Sequence, residues 1–138
     1  HDNEPGHHYV YLYNYCGSFR QGARTYSGIL DTHYRNGADG LSGNDDCGQM
    51  SAWYLFSSLG FYPVTPASGE YALGIPRFPS ARVELPHGKV LTVRAEGLKE
   101  HKHLRHSFNG KKLDAPFIAI RDLMKGGVLE FKARVKKL

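Results

Sequence analysis

The stretch Leu41-Ser42-Gly43-Asn44-Asp45-Asp46-Cys47-Gly48-Gln49-Met50-Ser51-Ala52-Trp53-Tyr54 joins a glycine-rich loop to an apolar segment with helical spacing. Two adjacent carboxylates, Asp45 and Asp46, stand at the junction. A helix N-terminus carries unsatisfied N–H groups and partial positive charge, so a carboxylate there tends to stay ionised. An ionised carboxylate held in fixed geometry serves as a general base or a metal ligand. The same residues also fit a structural pattern, with Asp46 as N-cap and Gln49 reaching back to it. A cap at a crowded helix start can still present an oxygen to a water, so the two readings are compatible. Gly37, Gly40 and Gly43 precede the junction and permit turns with positive φ and close backbone approach to a ligand.

Working outward, the junction predicts a helix over residues 46–59. Met50, Ala52, Trp53, Leu55, Phe56 and Leu59 leave it almost no polar face, which predicts an inner helix of a larger assembly. Gly60 ends it, and Pro63 and Pro66 forbid its continuation. Upstream, residues 22–35 read as a second helix with Tyr26, Ile29, Leu30, His33 and Tyr34 on its stripe. A first helix is expected from Pro5, capped by Asn3 or Asp2, with Tyr9, Leu12, Tyr13 and Cys16 on one face. After Ser68 the period changes. Residues 82–85 and 90–95 read as strands around Pro86-His87-Gly88-Lys89, and Asn109-Gly110 signals a hairpin between residues 105–108 and 111–113. A last strand over residues 128–135 puts Leu129, Phe131, Ala133 and Val135 on one face. The expected fold is α+β, with helices over residues 1–66 and a small antiparallel β subdomain over residues 67–138.

Composition narrows the function classes. A chain of 138 residues with 41% hydrophobic and 22% charged residues can build a core. No apolar run approaches the roughly 20 residues of a membrane helix, so no membrane partner is expected. The net charge of +5 conceals a split. Residues 1–75 carry three Lys/Arg and seven Asp/Glu, and residues 76–138 carry fifteen and six. The basic residues alternate with apolar ones, as on the wet face of a sheet, and no recognised nucleic-acid motif accompanies them. No nucleic-acid partner is expected. Cys16 and Cys47 make no disulfide framework and no CxxC motif, and buried free thiols are expected. The chain opens at His1 inside a motif, which suggests a piece of a longer protein.

That motif, Asp2-Asn3-Glu4-Pro5-Gly6-His7-His8, is the second place where chemistry is concentrated. Asn3 and Glu4 offer oxygen ligands suited to a hard cation such as Ca²⁺, and equally suit a capped helix start. They cannot alone fill the six to eight positions around Ca²⁺. Adjacent helical side chains diverge by about 100°, so His7 and His8 are poorly placed to share one zinc. Either can orient a substrate hydroxyl or simply pack. His101, His103 and His106 lie in a basic stretch and are expected to be exposed. Trp53, in mid-helix, is expected in the core rather than under a sugar ring.

The ordered blocks resemble one family. Asn3-Glu4-Pro5, His8, Tyr11-Leu12-Tyr13-Asn14-Tyr15 and the run from Gly43 to Tyr54 come first. Leu59-Gly60-Phe61-Tyr62-Pro63-Val64, Pro66, Tyr71, Gly74 and Pro76 through Phe78 extend the series. Together they resemble the C-terminal part of the calcium-dependent α-mannosidases of glycoside hydrolase family 92. The resemblance implies exo-acting, inverting hydrolysis of terminal α-linked mannose in glycans, with α-1,2 the expected linkage. It implies that residues 1–66 supply the last helices of an (α/α)6 toroid. The partners would be an N-terminal β-sandwich and the remaining barrel helices of the parent chain. By the same resemblance, Asn3 and Glu4 belong to a Ca²⁺ site, Asp46 is the general base with Asp45 beside it, and His8 lines the sugar pocket. The general acid would be a glutamate upstream of this chain, so the chain alone is expected to be inactive. A secreted, periplasmic or cell-surface bacterial location follows. The alternative is a non-catalytic carbohydrate-binding or structural module built on residues 69–138, and glycan binding by those residues alone would favour it.

Overall fold

The computed structural model describes residues 1–98 and 104–133. Its helices are α1 (Leu12–Tyr15), α2 (Phe19–Thr32), α3 (Gln49–Leu59) and α4 (Ile120–Leu123). Its strands are β1 (Phe61–Tyr62), β2 (Glu70–Leu73), β3 (Ser80–Glu84), β4 (Val90–Glu96), β5 (Leu104–Phe108), β6 (Lys111–Lys112), β7 (Phe117–Ala119) and β8 (Gly127–Ala133). The expected α+β class holds.

A three-stranded sheet of order β1-β2-β7 lies between the helices and a five-stranded sheet of order β3-β4-β8-β5-β6. Strand alternation explains how one thin sheet serves two cores. Tyr62 and Ala72 face the helices, where they join Val10, Tyr11, Tyr26, Leu30 and Trp53. Phe61, Leu73 and Ile118 face the other way, onto Leu91, Val93, Leu129 and Phe131 of the larger sheet. β1 precedes residue 66 and pairs antiparallel with β2, so backbone hydrogen bonds tie the helical half to the β half.

The β elements follow the sequence signals, with one difference. β3 and β4 form the expected hairpin, and Asn109 (φ 49°) and Gly110 (φ 77°) form the expected turn between β5 and β6. The β subdomain is not wholly antiparallel, because β8 pairs parallel to β4. The chain crosses between them through β5 to β7 and α4, which supplies the long connection a parallel pair needs. Arg82, Arg94 and Lys132 lie on the exposed face of this sheet, where basic residues were expected. The end of the predicted last strand, including Val135, lies outside the described residues.

The helical half departs more from expectation. The first helix is broken into a 3₁₀ turn at Glu4–Gly6, another at Tyr9–Tyr11, and the single turn of α1. Its buried side is His7, Val10, Tyr11 and Asn14, while Tyr9, Leu12 and Cys16 are exposed. The buried side is the expected stripe shifted by two positions, and aromatic residues stand on both faces. Asn14 explains the choice, since its side-chain amide donates to the Leu73 carbonyl at 2.8 Å. α2 starts and ends three residues earlier than expected, with Tyr34 and Leu41 paired by an isolated bridge instead. In α3, Leu55 is 61% exposed, whereas Ser57 and Ser58 are buried, Ser57 with its hydroxyl 2.8 Å from that of Tyr11.

Three further expectations are corrected. Cys16 and Cys47 are exposed, not buried, because one ends α1 and the other rides on the outside of a turn. His106 is buried, not exposed, because alternation along β5 turns it inward against Phe131 and Phe19. His101 and His103 lie outside the described residues.

Candidate active site

The two acidic motifs meet. Gly43, at φ 85°, lies against the backbone of Asp2, and a Cβ there would collide with the Asp2 carbonyl oxygen. Only a glycine allows the loop and the N-terminal segment to approach this closely. Across that contact the carboxyl of Asp46 hydrogen-bonds the carboxyl of Glu4. Asn3 supports the arrangement by capping the first 3₁₀ turn, its Oδ1 accepting from the Glu4 N–H at 3.0 Å.

Asp46 is not the N-cap of α3. That position is Gly48, at φ 93°, and it follows Asp46 (φ 47°) and Cys47 (φ 58°) in a left-handed run of three residues. A left-handed conformation costs a non-glycine residue about 1 kcal/mol, so this turn must be held by other contacts. The first helical N–H groups hold it. Gln49 N–H donates to the Asp46 carbonyl at 3.3 Å, and Met50 N–H to the Asp45 carbonyl at 3.1 Å. Ser51 N–H and Ser51 Oγ both donate to Asp45 Oδ1 at 2.9 Å. Asp45 therefore caps the helix from a distance. The Asp46 carboxyl, free of capping, projects toward Glu4.

The electrostatics follow from that placement. A helix N-terminus alone would hold Asp46 ionised. Instead, the hydrogen bond with Glu4 raises Asp46 above the usual aspartate range. Glu4 is lowered, first by its backbone hydrogen bond and then by the Asp46 carboxyl, so of the two it is Asp46 whose charged form the pairing disfavours. Both groups are exposed, open to water.

Of the paired histidines, His7 is the one beside the carboxyls. It is buried, with Nδ1 3.2 Å from Gln49 Nε2, and burial lowers its pKa against the opposing charge of Glu4. His8 is half-buried and packs edge-on against Tyr9. The floor under His7 is Trp53, fully buried as expected, whose indole N–H donates to the His7 carbonyl at 2.9 Å. His1 lies over the indole with ring centroids 4.0 Å apart and binds the Tyr34 hydroxyl at 2.8 Å. Sequence reasoning named both His7 and His8 without separating them, and passed over Ser51 and Tyr34 as site residues. The one available signal for Ser51 was its place in the first turn after two aspartates.

The donor set suits a hard cation in kind. Glu4 and Asn3 supply oxygens, and two carboxyls crowded together gain from added positive charge. It falls short in number. Among the described residues no three His, Cys, Asp or Glu side chains converge as a complete metal site. These residues would fit only part of an oxygen-rich shell, whose other positions would have to come from water, substrate or further protein.

Comparison with known proteins bears on this geometry. The family model described as the glycosyl hydrolase family 92 catalytic domain matches residues 1–134. A family GH92 alpha-mannosidase from Bacteroides thetaiotaomicron, solved in complex with mannoimidazole, superposes with a TM-score of 0.90 at 40% identity, over 96% of this chain and 18% of that one. A family GH92 inverting mannosidase from strain VPI-5482 of the same species superposes with a TM-score of 0.86 at 35% identity, again over 96% of this chain and 18% of that one. An uncharacterized secreted glycosidase of Arthroderma benhamiae is 29% identical over 133 residues, which are 93% of this chain and 17% of that protein. The chain thus spans less than a fifth of the length of these relatives.

Proposed function

The chain belongs to glycosyl hydrolase family 92, and on that premise we propose that it carries the base side of the active site of an exo-acting, inverting α-mannosidase. The observation that carries this reading is the convergence of Glu4 and Asp46 from two separate motifs. The longer protein would remove terminal mannose from glycans, with α-1,2 the expected linkage. Residues 1–66 would supply the last helices of its (α/α)6 toroid. Exposed Tyr9 and Leu55, each 61% accessible, would pack on the remaining barrel helices.

In this mechanism Asp46 takes a proton from a water as that water attacks the anomeric carbon. The leaving oxygen departs from the opposite face, protonated by an acid supplied upstream of this chain. Inverting glycosidases place the two carboxyls roughly 6.5–9.5 Å apart to seat that water. Glu4, hydrogen-bonded to Asp46, is too close to be that acid and is assigned instead to the cation site with Asn3. Ca²⁺, when bound there, would supply positive charge that keeps both carboxylates ionised and ligate vicinal sugar hydroxyls. His7, buried above Trp53, would support the site from beneath, and His8 would stand at the rim as a sugar contact.

Export of the longer protein, to a secreted, periplasmic or cell-surface location in a bacterium, accords with the secreted relative. Among the described residues no helix is long and apolar enough to cross a membrane. The outer face of the five-stranded sheet presents Arg82, Arg94, Glu130 and Lys132 rather than an aromatic platform, which favours a supporting role over glycan binding there.

The test is Asp46→Asn in the full-length protein. It should reduce kcat on an α-mannoside by at least about a thousandfold, and wild type should release the β anomer first, as read by NMR. Chelation should abolish turnover and Ca²⁺ should restore it. Full activity of Asp46→Asn, or release of the α anomer, would overturn the reading.

A further inference from the structure

We propose that Asp45 is a positioning residue, and that with Ser51 it forms a clamp holding the left-handed turn that aims Asp46 at the reacting water. This deepens the mannosidase reading and rests on it. Asp45 Oδ1 is occupied by two donors, the amide and the hydroxyl of Ser51, each at 2.9 Å. Its carbonyl is occupied by Met50 N–H. Two donors on one oxygen fix the Asp45 carboxylate against the start of the helix. Asp46, by contrast, has its carbonyl on Gln49 N–H and its carboxyl turned away from the helix toward Glu4. The adjacent aspartates thus divide the work.

The clamp is needed because of the backbone it spans. Asp46, Cys47 and Gly48 all have positive φ, and only the last is a glycine. With Gly48 as N-cap, α3 has no side-chain cap of its own. The Asp45 carboxylate fills that vacancy by reaching over the left-handed turn to the third helical amide. Released from it, the turn relaxes toward ordinary φ values and the Asp46 carboxyl swings with it. A displacement of about 1 Å at a catalytic group costs on the order of a hundredfold in rate.

The experiment uses the full-length protein with 4-nitrophenyl α-mannoside. Asp45→Ala should lower kcat about a hundredfold with KM within about threefold of wild type. Asp45→Asn, whose amide oxygen still accepts both Ser51 donors, should recover to within about tenfold of wild type. Ser51→Ala should lose about tenfold, and Ser51→Thr should recover most of that loss. The double variant Asp45→Ala/Ser51→Ala should be no slower than Asp45→Ala alone.

Azide separates positioning from proton abstraction. It needs no base: the C1–N bond forms as the C1–O bond breaks, giving β-mannosyl azide and 4-nitrophenolate. Azide should rescue Asp46→Ala and leave Asp45→Ala slow. Rescue of Asp45→Ala, together with an Asp45→Asn variant as inactive as Asp46→Asn, would make Asp45 the base and overturn the proposal. Hydrogen exchange at the Ser51 amide reads the clamp without turnover. Protection should be lost in Asp45→Ala and kept in Asp45→Asn. A wild-type protein inactive on mannosides but showing that exchange pattern would sink the mannosidase reading and leave the clamp standing. Unchanged Ser51 protection in Asp45→Ala would sink the clamp itself.

Discussion

Gly43 and His106 show how single residues set the site and the stability. Gly43 has the Asp2 carbonyl where a side chain would begin, so Gly43→Ala must push the two acidic motifs apart. At φ 85° the substitution also strains the backbone. We expect a stability loss of about 1–3 kcal/mol in urea denaturation, together with a loss of activity in the longer protein. An unchanged urea midpoint would contradict the close approach. His106 sits between the rings of Phe19 and Phe131, at centroid distances of 5.0 and 5.3 Å. Its Nε2 has no hydrogen-bond partner among the described residues, and desolvation lowers its pKa to about 4. The unfolded histidine titrates near 6.5, so between these values the unfolded state binds more protons. The contribution of neutral His106 is complete above about pH 6.5 and is lost as pH falls toward 4, by on the order of 3 kcal/mol. His106→Leu should flatten that part of the stability–pH curve, measured by urea denaturation at pH 7 and 4.5. An identical pH dependence in the variant would show that His106 does not carry it.

Among the elements, the hairpin β5–β6 and the start of α3 contrast. Asn109-Gly110 announces its turn in two letters because few residues other than glycine and asparagine accept two successive positive φ values. The fold then uses the same asparagine again, its Oδ1 accepting from the Val128 N–H at 2.8 Å. Asn109→Ala should therefore lose more than the turn preference, about 1–2 kcal/mol, while Gly110→Ala should lose about 1 kcal/mol. Thermal unfolding midpoints check both, and equal midpoints for Asn109→Ala and wild type would rule out the Val128 contact as a contributor. The α3 start was less legible. Asp-Asp followed by Gln at the third position matches a capping box, and the pattern contains nothing to show that Gly48 takes the cap position. The left-handed turn is paid for by contacts from Ser51, six residues after Asp45, beyond the reach of a local pattern. The first helix failed for a related reason. Its aromatic residues fit two stripes two positions apart, and the partner that chose between them, the Leu73 carbonyl bound by Asn14, lies far along the chain.

For the whole molecule, the layered arrangement of helices, thin sheet and larger sheet gives the chain two cores and leaves the Glu4–Asp46 pair on an open surface. Glu4 and Asp46 face open solvent, and Tyr9, Leu12 and Tyr15 are exposed in the segment that follows Glu4. We expect the 138-residue chain by itself to show no turnover of an α-1,2-mannobioside, in contrast to the full-length protein. Measurable hydrolysis by the pure chain would mean that its own residues supply an acid. The same exposed apolar surface should make the isolated chain self-associate with rising concentration in sedimentation velocity. A monomer at all concentrations would argue that this surface needs no cover.

By itself the sequence determined the α+β class, the hairpins, the buried tryptophan and the family, because each rests on local periodicity, turn chemistry or an ordered set of motifs. Tertiary structure alone decided which aspartate caps and which is free, which histidine lies beside the carboxyls, and that β8 runs parallel to β4. Those outcomes depend on contacts between distant segments: Asp2 against Gly43, Glu4 against Asp46, His106 against Phe19. The energy of such a contact is set by what both partners lose in solvation and gain in packing, and neither partner's neighbours in the chain record it.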